Sequence, residues 1–252
     1  MKYFVYIFLK IYSYYFFILH KKGGDFVKRA VVDYSGFRLD KLTQPRFSHL
    51  LLLLGWVGYF LLYILTERLI PAGHCIPVHS VIDDWIPFCE VFVIPYVLWY
   101  FLIAGSLLYF LIYDVNSFRS LQTFFIITQL VAMIAYILIP TRQDLRPVVF
   151  PRDNLLTRCV GFLYCVDTNT GVCPSLHVAL SVAMASVWLK AKQIPGWWKG
   201  CVVILAVLIC LSTMFIKQHS AVDVLAALPV CLLAEMLVFG PYWKRKLKNG
   251  SH

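Results

Sequence analysis

Residues 48–70 read SHLLLLLGWVGYFLLYILTERLI, and this stretch decides the fold. It is dominated by the leucine run from Leu50 to Leu54, and its only formal charges are Glu67 and Arg68, near the end. A helix needs roughly 20 apolar residues to cross the hydrocarbon core of a bilayer. The stretch therefore predicts a membrane-spanning helix.

The rest of the chain continues this pattern. Of its 252 residues, 60% are hydrophobic and only 14% are charged, whereas a soluble domain is typically about 25% charged. This composition excludes an ordinary soluble enzyme, a nucleic-acid-binding module and a disordered chain. We predict an all-α fold, a six-span transmembrane helical bundle. The predicted spans are Ser48 to Ile70, about Ile86 to Tyr113, about Ser120 to Ile139, Leu176 to about Leu189, Trp197 to Ile216 and His219 to Tyr242.

The segment before the bundle is apolar but interrupted. Met1 to Leu19 carries Lys2 and Lys10, which favours a short N-terminal interfacial helix over a seventh span or a signal peptide. We therefore divide the chain into three parts. Residues 1–47 form an interfacial and cytoplasmic segment, residues 48–242 a six-helix transmembrane domain, and residues 243–252 a basic cytoplasmic tail.

The positions of the charges predict an orientation. The net charge is +10, and Lys and Arg gather in residues 21–46, 190–199 and 244–248. Six spans place these three segments on one side of the membrane, which the positive-inside rule makes cytoplasmic. The loop at 71–85 contains no Lys or Arg and then faces outward. We predict an integral protein of the plasma (cytoplasmic) membrane with cytoplasmic termini.

One outward region carries cations that this topology does not explain. Arg142, Arg146, Arg152 and Arg158 lie between the third and fourth spans, and Lys217 ends the fifth. The planar fork of arginine suits phosphate oxygens, so an anionic ligand on the outer face is one explanation. Solvated residues that contact lipid headgroups are the other, and charge alone does not separate the two.

The fourth span begins with Cys173-Pro174-Ser175-Leu176-His177. Proline suits the first turn of a helix, because its missing N–H costs nothing there. Ser175 and His177 then stand at a helix N-terminus, whose free N–H groups and positive dipole end favour an anion. A histidine in that turn can donate a proton to a phosphate ester. An interfacial histidine without a role would show the same pattern.

The sixth span begins with a second candidate histidine. His219 and Asp223 are four residues apart and share a helix face. The carboxylate can accept a hydrogen bond from one imidazole nitrogen and leave the other free to attack. Asp223 also lies a turn inside an apolar helix, where an ionisable residue is costly and indicates function. A structural His–Asp pair between two spans is the alternative.

These residues resemble the motifs of the type 2 phosphatidic acid phosphatase (lipid phosphate phosphatase) superfamily. The family motifs are Lys-x6-Arg-Pro, Pro-Ser-Gly-His and Ser-Arg-x5-His-x3-Asp. Residues 174–177 match the second motif with Leu for Gly, and Ser212, His219 and Asp223 match the third at the family's spacing. Arg146, followed by a proline, matches the end of the first.

Two cations of the family pattern are absent. Ile139 stands where the first motif has Lys, and Thr213 stands where the third has Arg. This form also resembles a divergent branch, the inositol phosphorylceramide and sphingomyelin synthases, which transfer a phosphoalcohol headgroup between lipids. These two differences from the family motifs concern which substrate is bound more than which reaction is catalysed.

The resemblance implies a two-step displacement at phosphorus. His219 forms a phosphohistidine, Asp223 orients it, and His177 protonates the leaving alkoxide and then activates water or an alcohol. It implies no metal and no cofactor, because cationic side chains neutralise the phosphate. The residues expected to bind the phosphate are Arg146, Ser175, Lys217, Arg142 and Ser212.

The leading interpretation is a membrane lipid phosphatase that acts from the outer face on a lipid phosphomonoester or diphosphate. Its expected partners are that lipid phosphate and other membrane lipids, not nucleic acid. A lipid phosphotransferase, in which a lipid alcohol replaces water, is the first alternative. A non-catalytic transporter or scaffold is the second. The sequence names neither the lipid nor the oligomeric state.

Two other patterns are compatible with more than one role. The loop after the first span holds several metal-binding residue types, but their irregular spacing favours a solvated loop. They are His74, Cys75, His79, Asp83 and Asp84. Disulfides could join Cys75 to Cys89 or Cys165 to Cys173 if these loops face an oxidising compartment.

Overall fold

The architecture is seen in a computed structural model that describes residues 31, 32, 34, 38–192 and 194–249, with backbone only for 39 and 245–249. This part of the chain is mostly helical and has two short strands, in agreement with the predicted all-α class. The predicted interfacial helix at residues 1–19 lies outside the described residues.

Eight α-helices follow one another along the described chain. They are α1 (Leu54–Leu69), α2 (Val81–Trp85), α3 (Val93–Tyr113), α4 (Val115–Leu138), α5 (Leu155–Val166), α6 (Leu176–Lys190), α7 (Gly196–Phe215) and α8 (Ala221–Asn249). A 3-10 helix, Ser48–Leu53, leads into α1, and another, Glu90–Phe92, leads into α3. The strands β1 (Ile76–Pro77) and β2 (Thr141–Arg142) pair in parallel.

Five helical segments are long and apolar enough to cross a membrane, and they indicate an integral membrane protein. They are Ser48–Leu69, Glu90–Tyr113, Val115–Leu138, Gly196–Phe215 and Ala221–Lys244. Each coincides with a predicted span. The remaining predicted span is α6, which has 15 residues and is therefore about 22 Å long. That is shorter than the hydrocarbon core of about 30 Å.

The short helix α6 lies at the centre of the bundle, packed against α3, α4, α7 and α8. Its buried residues include Ala179 and Ala183, whose small side chains let neighbouring backbones approach closely. At its far end Trp188 packs on Phe110, with ring centroids 4.6 Å apart, and its indole N–H donates to Ser106 Oγ at 2.8 Å. The outer helices instead expose leucines, such as Leu61 on α1, as helices in contact with lipid do.

The region between the third and fourth predicted spans contains a helix, α5, that the sequence analysis did not predict. Asn154 begins it with a capping box, in which its side chain accepts from the Thr157 N–H at 3.0 Å. The helix buries Val160 against the protein and exposes the apolar side chains of Leu155 and Phe162, which suits a helix in contact with a lipid surface. It leads directly into the wall of the cavity described below.

All eight cysteines have free thiols, so neither candidate disulfide, Cys75 with Cys89 or Cys165 with Cys173, is formed.

Candidate active site

The turn between α7 and α8 presents the first candidate histidine. The backbone N–H groups of Gln218 and His219 both donate to the Thr213 carbonyl, at 2.9 and 3.0 Å. Lys217 adopts a left-handed φ of 55°, the conformation that commonly ends a helix. The turn therefore ends α7 and places His219 two residues before Ala221, the first residue of α8.

His219 and Asp223 form the predicted pair. Nδ1 of His219 lies 3.2 Å from Oδ2 of Asp223, and the Ser220 N–H donates to the same oxygen at 2.9 Å. Asp223 is fully buried, and its Oδ1 has no hydrogen-bond partner within the described chain. A proton on Nδ1 faces the carboxylate and leaves Nε2 of His219 as the free nucleophilic nitrogen.

His177 faces His219 from the first turn of α6. The centroids of the two imidazole rings are 5.6 Å apart, at an interplanar angle of 62°. The His177 ring stacks on Tyr96 at 4.6 Å and lies 4.2 Å from Trp99. Its Nε2 is buried and has no hydrogen-bond partner among the described residues. Such orphaned buried nitrogens are rare and frequently mark functional sites.

Backbone contacts fix the positions of the two histidines relative to each other. The Ser175 N–H donates to the carbonyl of Asp223 at 3.0 Å, which ties the start of α6 to the first turn of α8. The Tyr136 hydroxyl donates to the Pro174 carbonyl at 2.7 Å. Ser175 is the N-cap of α6, and its buried Oγ accepts from the Val178 N–H. Ser175 thus orients the turn that carries the histidine.

A cavity of about 320 Å³ lies against both histidines. Aromatic side chains of α1 and α3 form much of its wall, among them Tyr59 and Trp99. Its polar wall includes Asp167 and Gln218. Leu176, in the first turn of α6, also lines it. The cavity therefore joins an aromatic cleft to the pair of imidazoles.

Arg146, the predicted phosphate ligand of the first motif, binds protein groups. Its Nη1 donates to the Tyr164 carbonyl at 3.1 Å, and its Nη2 donates to the carbonyls of Asp167 and Thr168, both at 2.9 Å. Nη2 also donates to Oε1 of Gln218 at 2.6 Å. Burial lowers the pKa of Arg146 below its ordinary value. The guanidinium holds the cavity wall together and fixes the Gln218 amide.

The other predicted phosphate ligands also engage the protein rather than the cavity. Arg142 Nε donates to Asp144 at 3.0 Å. Lys217 Nζ donates to the carbonyl of Asp83 at 2.8 Å and to that of Ile86. The Ser212 hydroxyl donates to a carbonyl of its own helix. Among the described residues, the cavity lining includes none of the five predicted ligands: Arg146, Ser175, Lys217, Arg142 and Ser212.

The sequence analysis missed the structural role of Asp83, which lies buried beneath the turn. Its Oδ1 accepts from the Ala221 N–H at 2.7 Å, and its Oδ2 accepts from the Ser220 hydroxyl and the Ser80 N–H. Burial alone would raise the pKa of Asp83, but these hydrogen bonds outweigh it and hold the pKa below the ordinary value. Asp83 therefore caps α8 and fixes the two residues that follow His219.

The sequence analysis also missed three residues of the site wall. The Tyr96 hydroxyl donates to Oδ2 of Asp167 at 2.9 Å, so the ring that stacks on His177 is itself anchored. Tyr96 and Trp99 are three apart in α3, a spacing that predicts a shared helix face but not what that face contacts. No sequence pattern pointed to Asp167, because it follows α5, a helix that was not predicted.

The loop residues considered for a metal do not converge. His79 pairs with Asp84 at 2.8 Å, whereas Asp83 turns towards α8. Across the ranges that the structure describes, no three His, Cys, Asp or Glu side chains group as metal ligands would.

Comparisons of the chain with protein-family models, curated proteins and solved structures find no match. The resemblance to the lipid phosphate phosphatases therefore rests on the motif residues and their spacing alone.

Proposed function

We propose that this chain is an integral membrane phosphoesterase that hydrolyses a lipid phosphomonoester or diphosphate through a phosphohistidine at His219. The observation that carries the proposal is the facing pair of imidazoles, one oriented by a buried carboxylate. His219 is hydrogen-bonded through Nδ1 to Asp223, and His177 faces it across 5.6 Å. A nucleophile, an orienting group and an acid–base group thus lie at one cavity.

The reaction has two displacements. In the first, Nε2 of His219 attacks phosphorus, the P–O bond to the lipid breaks, and protonated His177 gives its proton to the departing alkoxide. In the second, His177 takes a proton from water, the oxygen of that water attacks phosphorus, and the P–N bond breaks. The products are the lipid alcohol and phosphate from a phosphomonoester. From a diphosphate attacked at its terminal phosphorus, the leaving group is the lipid monophosphate, and the products are that monophosphate and phosphate. Asp223 balances the positive charge that His219 carries in the intermediate.

The start of α6 is the proposed site of the phosphate oxygens. The first N–H groups of a helix have no intrahelical acceptor, and they favour an anion. Leu176 and His177 stand in that turn and both line the cavity. Arg146, Lys217 and Arg142 then support the site indirectly, because Nη1 and Nη2 of Arg146, Nζ of Lys217 and Nε of Arg142 donate to protein groups. Nε of Arg146 is buried and has no hydrogen-bond partner among the described residues.

The shape of the cavity favours a lipid substrate. Its aromatic wall comes from α1 and α3, yet α1 packs mainly on α4, and within the described chain no extensive contact joins it to α3. Phe60 and Tyr100 line the cavity and are also exposed on the outside of the bundle. A lipid headgroup could therefore reach the histidines sideways from the bilayer.

The membrane placement belongs to the same proposal. We take α6 as the fourth of six spans, shortened because other helices surround it and because its N-terminus begins at the site. Six spans place the basic segments on the cytoplasmic side and the two histidines near the outer face of the plasma membrane. The helix α5, at the same end as the site, then lies along the outer lipid surface.

Transfer to a lipid alcohol is the second candidate, and the bilayer-facing cleft favours it, because a lipid acceptor could enter where the donor does. The test uses the purified full-length protein in mixed micelles with phosphatidic acid, phosphatidylglycerol phosphate or a polyprenyl diphosphate. Released phosphate supports hydrolysis. A new phospholipid formed only when ceramide or diacylglycerol is added supports transfer. His79→Ala, which changes an exposed histidine outside the cavity, is the matched control for His219→Ala.

A further inference from the structure

We infer that the cavity contains a subsite for an organic ammonium group beside the phosphate position, and that the preferred substrate is a zwitterionic phosphoester lipid. This inference rests on the proposed function, because it assumes that the phosphate is bound at the two histidines. The residues that carry it are Asp167 and the aromatic side chains around it.

Asp167 is an acidic group whose carboxylate forms no direct ion pair within the described chain, although it attracts the Arg146 guanidinium at longer range. It lines the cavity together with both histidines. Its Oδ2 accepts from the Tyr96 hydroxyl at 2.9 Å and from the Gln218 amide at 3.4 Å, whereas its Oδ1 receives no hydrogen bond within the described chain. Arg146 binds the backbone carbonyl of Asp167 rather than its carboxylate. No ion pair to this carboxylate occurs between the described residues.

The walls around this carboxylate suit an organic cation. Tyr59, Tyr63, Trp99 and Tyr100 line the same cavity as Asp167. The faces of tyrosine and tryptophan rings attract ammonium groups, most strongly where water is excluded. A carboxylate surrounded by such rings can bind an ammonium by charge and by contact with its carbon atoms.

The charge balance of the cavity leads to the same class of ligand. Within the described chain the lining contains no Lys or Arg, although phosphate sites commonly use such cations. It does contain Asp167, and Asp223 lies directly behind His219. Apart from the two imidazoles, no side chain of the described lining can neutralise an anionic phosphate here. An ammonium carried by the substrate itself would offset this deficit.

Two kinds of lipid have this chemistry. The ammonium can belong to the lipid backbone beside a phosphomonoester, as in sphingosine 1-phosphate, which the proposed hydrolysis would cleave. It can also belong to the headgroup of a phosphodiester, as in phosphatidylethanolamine, which would be a donor for the second candidate, transfer to a lipid alcohol. Each has a matched lipid without the charge: ceramide 1-phosphate, in which the amine is acylated, and phosphatidylglycerol.

The experiment compares kcat/KM for the two members of each pair, with the full-length protein in lipid nanodiscs. We expect the wild type to prefer the ammonium-bearing member of at least one pair by about tenfold or more. In Asp167→Asn that preference should fall to near unity, and in Asp167→Glu it should persist even if the rate is lower. Asp153→Asn is the matched control. It removes an exposed carboxylate that binds Arg158 at 3.0 Å outside the cavity.

A binding measurement separates this inference from the proposed function. Tryptophan fluorescence reports binding of the same lipids to His219→Ala and to the double variant His219→Ala, Asp167→Asn. The inference is overturned if neither assay shows an ammonium preference, or if the preference survives in Asp167→Asn. If binding shows the Asp167-dependent preference and no lipid is turned over by the wild type, the proposed function fails and the ammonium subsite stands.

Discussion

Nδ1 of His219 lies 3.2 Å from Oδ2 of Asp223, and both side chains are buried. The same carboxylate oxygen accepts from the Ser220 N–H at 2.9 Å, so the position of the carboxylate is fixed by the turn as well as by the helix. Only Nδ1 of the imidazole faces this anion, which makes the Nδ1–H tautomer the favoured one. The tautomer decides which nitrogen is available for attack.

Asp223→Asn should lower kcat by about 100-fold or more, because an amide can donate to Nδ1 and favour the opposite tautomer. Phosphate release from a lipid phosphate measures this effect, and thermal melting in detergent reports folding. Asp84→Asn is a matched control, since Asp84 pairs with the exposed His79 at 2.8 Å. A folded Asp223→Asn protein with the activity of the wild type would contradict the role of Asp223.

The stack of Tyr96 on His177 predicts a difference between two substitutions. Tyr96→Leu removes the ring, and kcat should fall about three- to tenfold, as the loss of an aromatic contact of about 0.5–1.5 kcal/mol would cause. Tyr96→Phe keeps the ring and loses the hydrogen bond to Asp167, so kcat should fall less. If the two variants lose activity equally, the hydroxyl rather than the stacked ring supports His177.

Asp83 should affect stability in a pH-dependent way. Asp83→Asn removes the charge that caps α8 and should destabilise the protein by about 2–3 kcal/mol near neutral pH. The folded-state pKa of Asp83 lies below its ordinary value of about 4. Its contribution is therefore complete above that ordinary value and is lost as the pH falls through the folded-state pKa.

Melting temperatures measured from pH 7 down to pH 3 test this expectation. The gap between wild type and Asp83→Asn should narrow on the acid side, because the wild type loses the same contribution. A gap that is constant across this range, or that widens in acid, would show that the Asp83 charge does not stabilise the fold.

The helices show how much of the fold can be predicted from the sequence. Runs such as Leu50–Leu54 are interrupted by few charges, and five predicted spans appear as long apolar helices. The helix α5 was missed because Arg152 precedes it and Arg158 lies in its first turn, and these charges indicated a loop. In the structure they pair with Glu90 and Asp153.

The pairing of His219 with Asp223 was predictable because four residues make one helical turn, and spacing within a helix survives folding. The partners of Arg146, Arg152 and Lys217 were not predictable, because they include residues from distant segments. Lys217 binds carbonyls more than 130 residues away in sequence, at Asp83 and Ile86. Local patterns identify residue types suited to phosphate, but the tertiary contacts decide which donors remain free.

Arg146 is proposed to support the phosphate site indirectly, and one substitution distinguishes this role from direct binding of phosphate. Its guanidinium joins three carbonyls and Gln218, and a lysine could not make these bonds together. Arg146→Lys should therefore lower the melting temperature and kcat, while the inhibition constant of orthovanadate, a phosphate mimic, stays near that of the wild type. An inhibition constant raised about tenfold or more in folded protein would instead show that Arg146 contacts the phosphate.

The central claim is that His219 becomes covalently phosphorylated. The most direct measurement incubates the protein with a lipid carrying a 32P-labelled phosphate, quenches it in alkali and maps the acid-labile label by mass spectrometry. We predict label on His219 in the wild type, with neither label nor phosphate release in a folded His219→Ala protein. Undiminished turnover by His219→Ala, or label on another residue, would contradict the account.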